Sequence, residues 1–336
     1  MRKQKILIIR MSALGDVAMT IPAIYSLAEQ YPQLEVNVLT APFFARLFIN
    51  RPSNIRLIEA DFKGNHKGIK GMFRLLGQLR ACRFSGVADL HNVLRSWIID
   101  IFMQLDGAKV VMVDKKRRQR RYALKHHIRQ PNFIDRYVEV FAKLGFPVRI
   151  EFSSLFTTEK EISPIEITHP AIGIAPFARY VNKTYPIEKM ETVVKELTEN
   201  GCYIYLFGSK GEEANLLSQW SKRYERCTSV AGSYSIETEL NIMSRLDTML
   251  TMDSANQHLA AATGIRVVTI WGSTTPLCGF LGYNQSEKDA LLSELPCQPC
   301  SIAGGKKCKY RHFDCMNRLS PQMITAHLKQ KVDKNN

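Results

Sequence analysis

No run of about 18 consecutive apolar residues occurs in the 336-residue chain, so no bilayer-spanning helix is expected. The Gly-x-Gly-x-x-Gly fingerprint is missing too: the loop after the first apolar stretch has Gly15 as its only glycine. Without that cradle in either half, an NAD-dependent dehydrogenase is disfavoured. Acidic residues are scarce, 31 Asp and Glu against 46 Lys and Arg, and the formal charge of +15 points to an anionic partner. There are no internal repeats, and the only low-complexity segment is the polar tail Lys329–Asn336.

What is present is a regular alternation of short apolar strands and helical stretches, the signature of an α/β chain with doubly wound parallel sheets. Its length suits two domains that each bury a core. In the first half the expected strands are Ile6–Ile9, Val36–Thr40, Arg56–Glu59, Val87–Leu90 and Val110–Val113, with a helix from about Asn132 to Leu144. Residues from about Glu151 to Pro170 read as a linker. The pattern then restarts with strands at Ala171–Ala175, Cys202–Phe207, Thr248–Met252 and Val267–Trp271 and helices at 187–199, 212–223 and 235–245. Arg2, Lys3 and Lys5 before an apolar run superficially resemble a secretory leader. Arg10 and Asp16 interrupt that run, which is better read as the first strand, so a cytoplasmic chain is expected.

Two stretches carry chemistry. The first runs Lys5-Ile-Leu-Ile-Ile-Arg-Met-Ser-Ala-Leu-Gly15-Asp16, with Thr20 placed to cap a new helix and Pro22 in its first turn. Asp16 lies at the carboxyl end of a strand, where open α/β sheets bind ligands. It would repel a phosphate, so it suits a hydroxyl; a simple helix cap is the competing reading. The second stretch joins the strand Thr248–Met252 to Asp253-Ser254-Ala255-Asn-Gln-His258-Leu-Ala-Ala-Ala262, followed by Gly272-Ser-Thr-Thr-Pro276. Together they resemble the ADP-heptose:lipopolysaccharide heptosyltransferases, glycosyltransferase family 9. That family opens with a strand, a Gly-Asp loop and a Thr-Leu-Pro-like helix start, and later carries D-[TS]-G-x-x-H-[LI]-A-A-A. Here Ala255 replaces the usual glycine.

The resemblance implies a GT-B fold, two Rossmann-like domains facing a central cleft: residues 1–158 for the acceptor, 168–320 for the nucleotide sugar, and a helix and polar tail over 321–336. It implies an inverting, metal-independent transfer of heptose from ADP-heptose to the lipopolysaccharide inner core. Asp16 then matches the general base. Lys183, in a segment similar to the family's K-x-W-P element with Tyr185 for tryptophan, would stabilise the diphosphate beside a helix start. Hydroxyl residues that often precede this lysine are replaced by Ala178 and Arg179, and Arg179 is expected to substitute as a cation. Asp253, Ser254 and His258 would hold sugar and phosphate, Glu212 or Glu213 the ribose, and Tyr234 the adenine. The stretch Asp89-Leu-His91-Asn92-Val-Leu-Arg95-Ser96 is similar to the family's D-L-Q-G-x-x-R-S, with His91 and Asn92 departing from it; Arg95 would contact an acceptor anion. Plain alternatives stand beside these: an exposed helix-start lysine at Lys183, and a hydrogen-bonded core histidine at His258.

The densest basic run, Lys115, Lys116, Arg117, Arg118, Arg120 and Arg121, suits nucleic acid, an anionic membrane surface, an acidic substrate or merely a solvated loop. Only Tyr122 interleaves it, and no nucleic-acid-binding motif appears, so no nucleic acid partner is expected. A lipid-linked anionic saccharide acceptor satisfies the membrane and substrate readings together and implies a peripheral position at the inner face of the cytoplasmic membrane. The alternative from another class is a non-catalytic nucleotide-sugar or nucleic-acid binding protein with the same fold. Cys297, Cys300, Cys308 and Cys315 form a C-x₂-C-x₇-C-x₆-C cluster that in a cytoplasmic protein means structural zinc or four reduced or redox-paired thiols. No Asp-x-Asp pair is present to hold a catalytic metal, so no cofactor is expected for the chemistry.

Overall fold

In the computed structural model, residues 4–156, 163–305, 307–308 and 310–332 are described. Residue contacts divide the chain into two compact units, 1–116 with 131–155, and 117–130 with 156–336. The expected first domain ended at 158, which lies outside the described residues, as do 159–162 of the expected linker and 333–336 of the tail. The division sends residues 117–130 to the second unit, so the basic run is split after Lys116.

The first unit holds a five-stranded, all-parallel sheet built from β1 (Lys5–Ile9), β2 (Glu35–Thr40), β3 (Ile55–Glu59), β4 (Gly86–Asp89) and β5 (Lys109–Met112), in the order β3-β2-β1-β4-β5. Ile6, Leu7, Ile8 and Ile9 are completely buried, as a strand covered on both faces must be. The helices Ile21–Gln30 and Phe133–Leu144 pack against one another, and Phe133–Leu144 also packs against β4 and β5. That last helix starts with Asn132 accepting from the Ile134 N–H and stops at Gly145, whose φ of 105° only glycine adopts easily. Thr20 stands at the cap position of the Ile21–Gln30 helix, but its hydroxyl donates backwards to the Val17 carbonyl at 2.7 Å instead of capping forwards.

The second unit repeats the plan with six parallel strands: β6 (Ala171–Ala175), β7 (Tyr203–Leu206), β8 (Cys227–Ser229), β9 (Thr248–Met252), β10 (Arg266–Ile270) and β11 (Ala290–Leu291), in the order β11-β10-β9-β6-β7-β8. Its core gathers Ile172, Ile174, Val193, Leu206, Trp220 and Leu250. The helices Ile187–Glu199 and Glu212–Arg223 fall on the expected spans, and Pro321–Val332 packs on the first of them. The short strands β8 and β11 were not expected: two or three residues are too few to give a period to read.

In both sheets the first strand of the unit lies between its second and fourth, so the chain order reverses beside it. At such a switch point neighbouring crossovers leave in opposite directions and open a crevice at the carboxyl ends of the strands. In the first unit the crevice is flanked by the ends of β1 and β4, where Ile9 pairs with Asp89. In the second it is flanked by β6 and β9, where Ala175 pairs with Thr251. Trp220 anchors the Glu212–Arg223 helix on this second sheet and is 1% exposed. Trp220→Ala should cost about 3–5 kcal/mol of stability, read from urea denaturation, and a change of much less than that means the site collapses without leaving a cavity.

Candidate active site

The crevice of the first unit is organised by a buried arginine. Arg10 follows β1, donates to the Leu90 carbonyl at 2.6 Å, and pairs with Asp16 Oδ2 at 2.6 Å. Burial alone would lower the Arg10 guanidinium, but Tyr137 and the carboxylates of Asp16 and Asp89 hold it above its ordinary value. Asp16 sits in the first turn of the helix Leu14–Ala18 and also accepts from the Ala13 N–H at 3.3 Å. The helix-cap reading is met by that N–H; the same oxygen also serves Arg10, and the side chain keeps 38% of its surface open.

Asp89 closes β4 fully buried. Its Oδ1 accepts from the His91 and Asn92 N–H groups, both at 2.8 Å, and its Oδ2 from Ser96 Oγ at 2.7 Å. The turn this fixes brings His91 Nε2 to 3.3 Å from Ser12 Oγ. Burial and then the Arg10 charge push His91 down to about 4, so its ring is neutral near pH 7. Asn92 takes φ 48°, a left-handed conformation that asparagine tolerates and that suits the glycine of the family stretch. Neither His91 nor Arg10 was assigned a role from sequence. Arg10 was visible only as a charge interrupting an apolar strand.

In the second unit Lys183 ends a short turn, Val181–Lys183, and places Nζ 2.6 Å from Asp253 Oδ2, with both side chains largely buried. Thr274 Oγ1 donates to that same oxygen, and Gln257 Nε2 donates to Oδ1 at 3.1 Å. Ser254 is the N-cap residue of the helix Ala255–Ala262, yet its hydroxyl makes no cap bond. The hydroxyls of Ser254, Ser273 and Thr275 are buried with no hydrogen-bond partner among the described residues. Backbone spacing is tight here: the Ser273 N–H donates to the Asn182 carbonyl at 3.0 Å, and a Cβ on Gly272 would collide with that oxygen. The result is an ammonium, three unpaired hydroxyls and a helix start at one strand-end crevice, a set of donors suited to phosphate oxygens. His258 lies one turn into that helix, buried. Thr274, Gln257 and the two further hydroxyls lay in stretches noted from sequence but had no assigned role.

Other expected residues are placed less tellingly. Arg179 is exposed and lies over its neighbour Tyr180, 5.5 Å from the ring centre. Glu213 accepts from the Ser209 N–H at 2.7 Å, in the loop before its own helix, while Glu212 is exposed and Tyr234 half-buried. Arg95 is exposed with its guanidinium 4.3 Å from the centre of the Phe62 ring. Lys115 donates to the Asn92 carbonyl at 3.1 Å, and the Lys116 N–H donates to Asp114 at 2.8 Å. Arg117, Arg118 and Arg121 are exposed on the helix Arg117–Lys125, and Arg120 lies over Phe280 at 5.1 Å. Cys315 is buried, Cys297 and Cys308 half-buried and Cys300 exposed. Burial, and then the charges of the other three, push the Cys315 thiol up to about 11. Burial acts the same way on Cys308, but N–H groups from Phe313, Tyr310, His312 and Arg311 outweigh it and favour the thiolate. Among the described residues no three His, Cys, Asp or Glu side chains are gathered to hold a metal ion.

The profile of Glycosyltransferase family 9 (heptosyltransferase) matches residues 72–311. The chain belongs to that family. The matched stretch contains Lys183, Asp253 and His258; Asp16 lies before it. Lipopolysaccharide heptosyltransferase 1 of Pseudomonas aeruginosa is 21% identical, over 96% of this chain and 97% of its own length. Lipopolysaccharide heptosyltransferase 2 of Salmonella typhimurium is 27% identical, over 81% and 84%. Among solved structures, a family 9 glycosyl transferase from Veillonella parvula superposes with a TM-score of 0.74 at 17% identity, covering 99% of this chain and 98% of its own. E. coli heptosyltransferase WaaC with ADP gives 0.69 at 16%, covering 99% and 100%. This family 9 chain is thus a glycosyltransferase with the GT-B fold.

Asp100, on the helix Leu94–Leu105, is buried near Asp89. Burial and the Asp89 charge push its carboxyl up to about 8 from an ordinary 3.8. Across that window the folded protein keeps a proton that the unfolded chain releases, so this group's contribution to stability falls as pH rises. Asp100→Asn should therefore gain stability relative to wild type between pH about 4 and about 8 and hold a constant advantage above, in urea midpoints measured across pH. An advantage that does not change with pH would mean that Asp100 is ionised in the folded protein.

Proposed function

We propose that the protein transfers heptose from ADP-heptose to the lipopolysaccharide inner core with inversion at the anomeric carbon. The observation that carries this reading is the buried Lys183 ammonium beside the unpaired hydroxyls of Ser254, Ser273 and Thr275, at a helix start in the switch-point crevice. Donors fixed where negative charge develops stabilise a departing diphosphate without reorganising. The names of the relatives supply the sugar and acceptor, and the solved WaaC structures were obtained with ADP and with ADP-2-deoxy-2-fluoro heptose. Asp16 takes the proton from the acceptor hydroxyl. The freed oxygen attacks the anomeric carbon as the bond to the diphosphate breaks, and ADP leaves with the electron pair. Arg10 holds the Asp16 carboxylate in place, and neutral His91 meets Ser12 of the same loop. Lys183 and the helix start supply the positive charge that a metal supplies in other nucleotide-sugar transferases, so no metal is needed for the step. Asp253 positions Lys183, with Ser254 and His258 near the donor; Arg179, Tyr234 and Glu212 or Glu213 would reach its outer parts. Arg95, with Lys115, Lys116, Arg117, Arg118, Arg120 and Arg121, would meet the acceptor's anionic groups. The lipid-linked acceptor and the +15 charge support a peripheral position at the cytoplasmic face of the membrane; no helix of the described residues is long and apolar enough to cross one.

Asp16→Asn should leave ADP-sugar affinity nearly unchanged and lower turnover about 10²-fold or more, because the amide keeps the cap but takes no proton. Lys183→Ala should weaken nucleotide binding and slow transfer together. Both are read as ADP released with a lipid A–core acceptor and as nucleotide affinity by calorimetry. Unaltered turnover in Asp16→Asn would remove the base from the mechanism, and no ADP release by the wild type with several cores would remove the reaction itself.

We propose a structural zinc for Cys297, Cys300, Cys308 and Cys315, the alternative being four reduced or redox-paired thiols. The C-x₂-C half-site and the N–H groups converging on Cys308 support it, and a related fold, TibC of E. coli at a TM-score of 0.59, is described as an iron-containing glycosyltransferase. Elemental analysis should find about one zinc per chain, released on thiol modification, as four thiolates predict. A chain that stays metal-free after zinc addition and dialysis establishes the alternative, with all four thiols titratable if they are reduced and only after a reductant if they are paired.

A further inference from the structure

Two helices of the first unit present apolar side chains outwards. On Leu94–Leu105 these are Leu94, Trp97, Ile98, Ile101 and Leu105, at the three- and four-residue spacing that forms one stripe. Leu105 is 84% exposed and Leu94 71%. On Gly68–Cys82 they are Ile69 and Phe73, one turn apart and 79% and 67% exposed. The stripes are continuous, because Ile69, Phe73, Arg95 and Ile98 line a single groove where the helices meet. A contiguous exposed patch of this kind marks a surface that is covered when the protein works.

The charge around it indicates by what. Between Asp61 and Asp89 there is no acidic residue, while Lys63, Lys67, Lys70, Arg74, Arg80 and Arg83 stand in that stretch, all exposed. Arg80 alone of these is engaged by a carboxylate, that of Asp106. A two-fold contact with a second copy would set this cationic border against itself. An apolar face with a cationic border and a tryptophan at its edge instead suits the interface of an anionic bilayer.

We propose that the outward faces of Gly68–Cys82 and Leu94–Leu105 dock on an anionic lipid bilayer. The proposal deepens the lipid-linked acceptor of the reading above by naming the surface that meets the membrane. Trp97 Nε1 donates to Asn92 Oδ1 at 2.8 Å, and Asn92 follows His91, which reaches Ser12. The docking face is thus joined through one turn to the loop that carries Asp16, within the same unit.

The test uses full-length protein and vesicles without donor or acceptor, so its failure leaves the transfer reaction standing, and a failed transfer assay leaves it standing. Wild type should co-sediment with phosphatidylcholine–phosphatidylglycerol vesicles at least about tenfold better than with phosphatidylcholine alone, an advantage that salt removes. Because Trp220 and Trp271 are buried, tryptophan emission should shift to the blue on binding through Trp97, and Trp97→Phe should lose the shift. Phe73→Ser/Ile98→Ser/Ile101→Ser should weaken vesicle binding about tenfold or more with an unchanged melting midpoint, since all three side chains are exposed. If that variant fails to fold, the surface pair Lys70→Glu/Arg74→Glu decides by the same loss. Wild-type binding by these variants, or no blue shift, overturns the proposal. So does a variant that keeps vesicle binding but turns a dimer into a monomer, which would assign the face to a second copy.

Discussion

A parallel sheet whose strand order reverses must leave an opening at the strand ends, and this chain builds that opening twice. Each opening is closed from below by buried apolar strands, so charges placed there have little water around them. Each therefore carries a cation matched to a carboxylate: Arg10 with Asp16 in one unit, Lys183 with Asp253 in the other. Removing such charges from water is costly, and a pair persists when further hydrogen bonds satisfy its remaining sites. The Leu90 carbonyl does this for Arg10, and Thr274 and Gln257 do it for Asp253.

The departures from the family pattern are conservative in physical terms. Asn92 can hold the left-handed φ that glycine would hold. Ala255 stands at the first position of a helix, where a methyl group is no obstacle. Tyr185 is fully buried in place of tryptophan and donates its hydroxyl to the Leu319 carbonyl at 2.8 Å, tying the segment after Lys183 to the turn that precedes the helix Pro321–Val332. A tyrosine buried with its oxygen satisfied keeps most of the packing of the larger ring.

Most of the fold was legible because parallel strands buried on both faces read as unbroken apolar runs and long amphipathic helices have a clear period. β1, β2 and β4 were visible in this way, and the partly exposed edge strands β3 and β5 by their short apolar stretches. β8 and β11 were not, since Cys227–Ser229 and Ala290–Leu291 are held by their neighbours' backbones and need no apolar pattern of their own. In the site, Asp16 stood out by its place at a strand end and by the family motif it matches, Lys183 and Asp253 through the resemblance to family motifs alone. Arg10, His91, Thr274 and Gln257 did not, because what matters about them is which group the folded chain brings within their reach. The contiguity of the basic run was equally deceptive: seven adjacent positions, Lys115 to Arg121, fall into two different units.

The arrangement around Asp253 bears on how substitutions there are to be read. One carboxylate gathers a lysine from the turn after β6, a threonine from the loop after β10 and a glutamine from the helix after β9. Three separate segments share a single mooring. Replacing it releases all three together, including an ammonium left without its counter-charge in a buried place. Loss of activity on changing Asp253 is therefore no measure of whether its oxygens touch the sugar; Lys183, Thr274 and Gln257 would have drifted first.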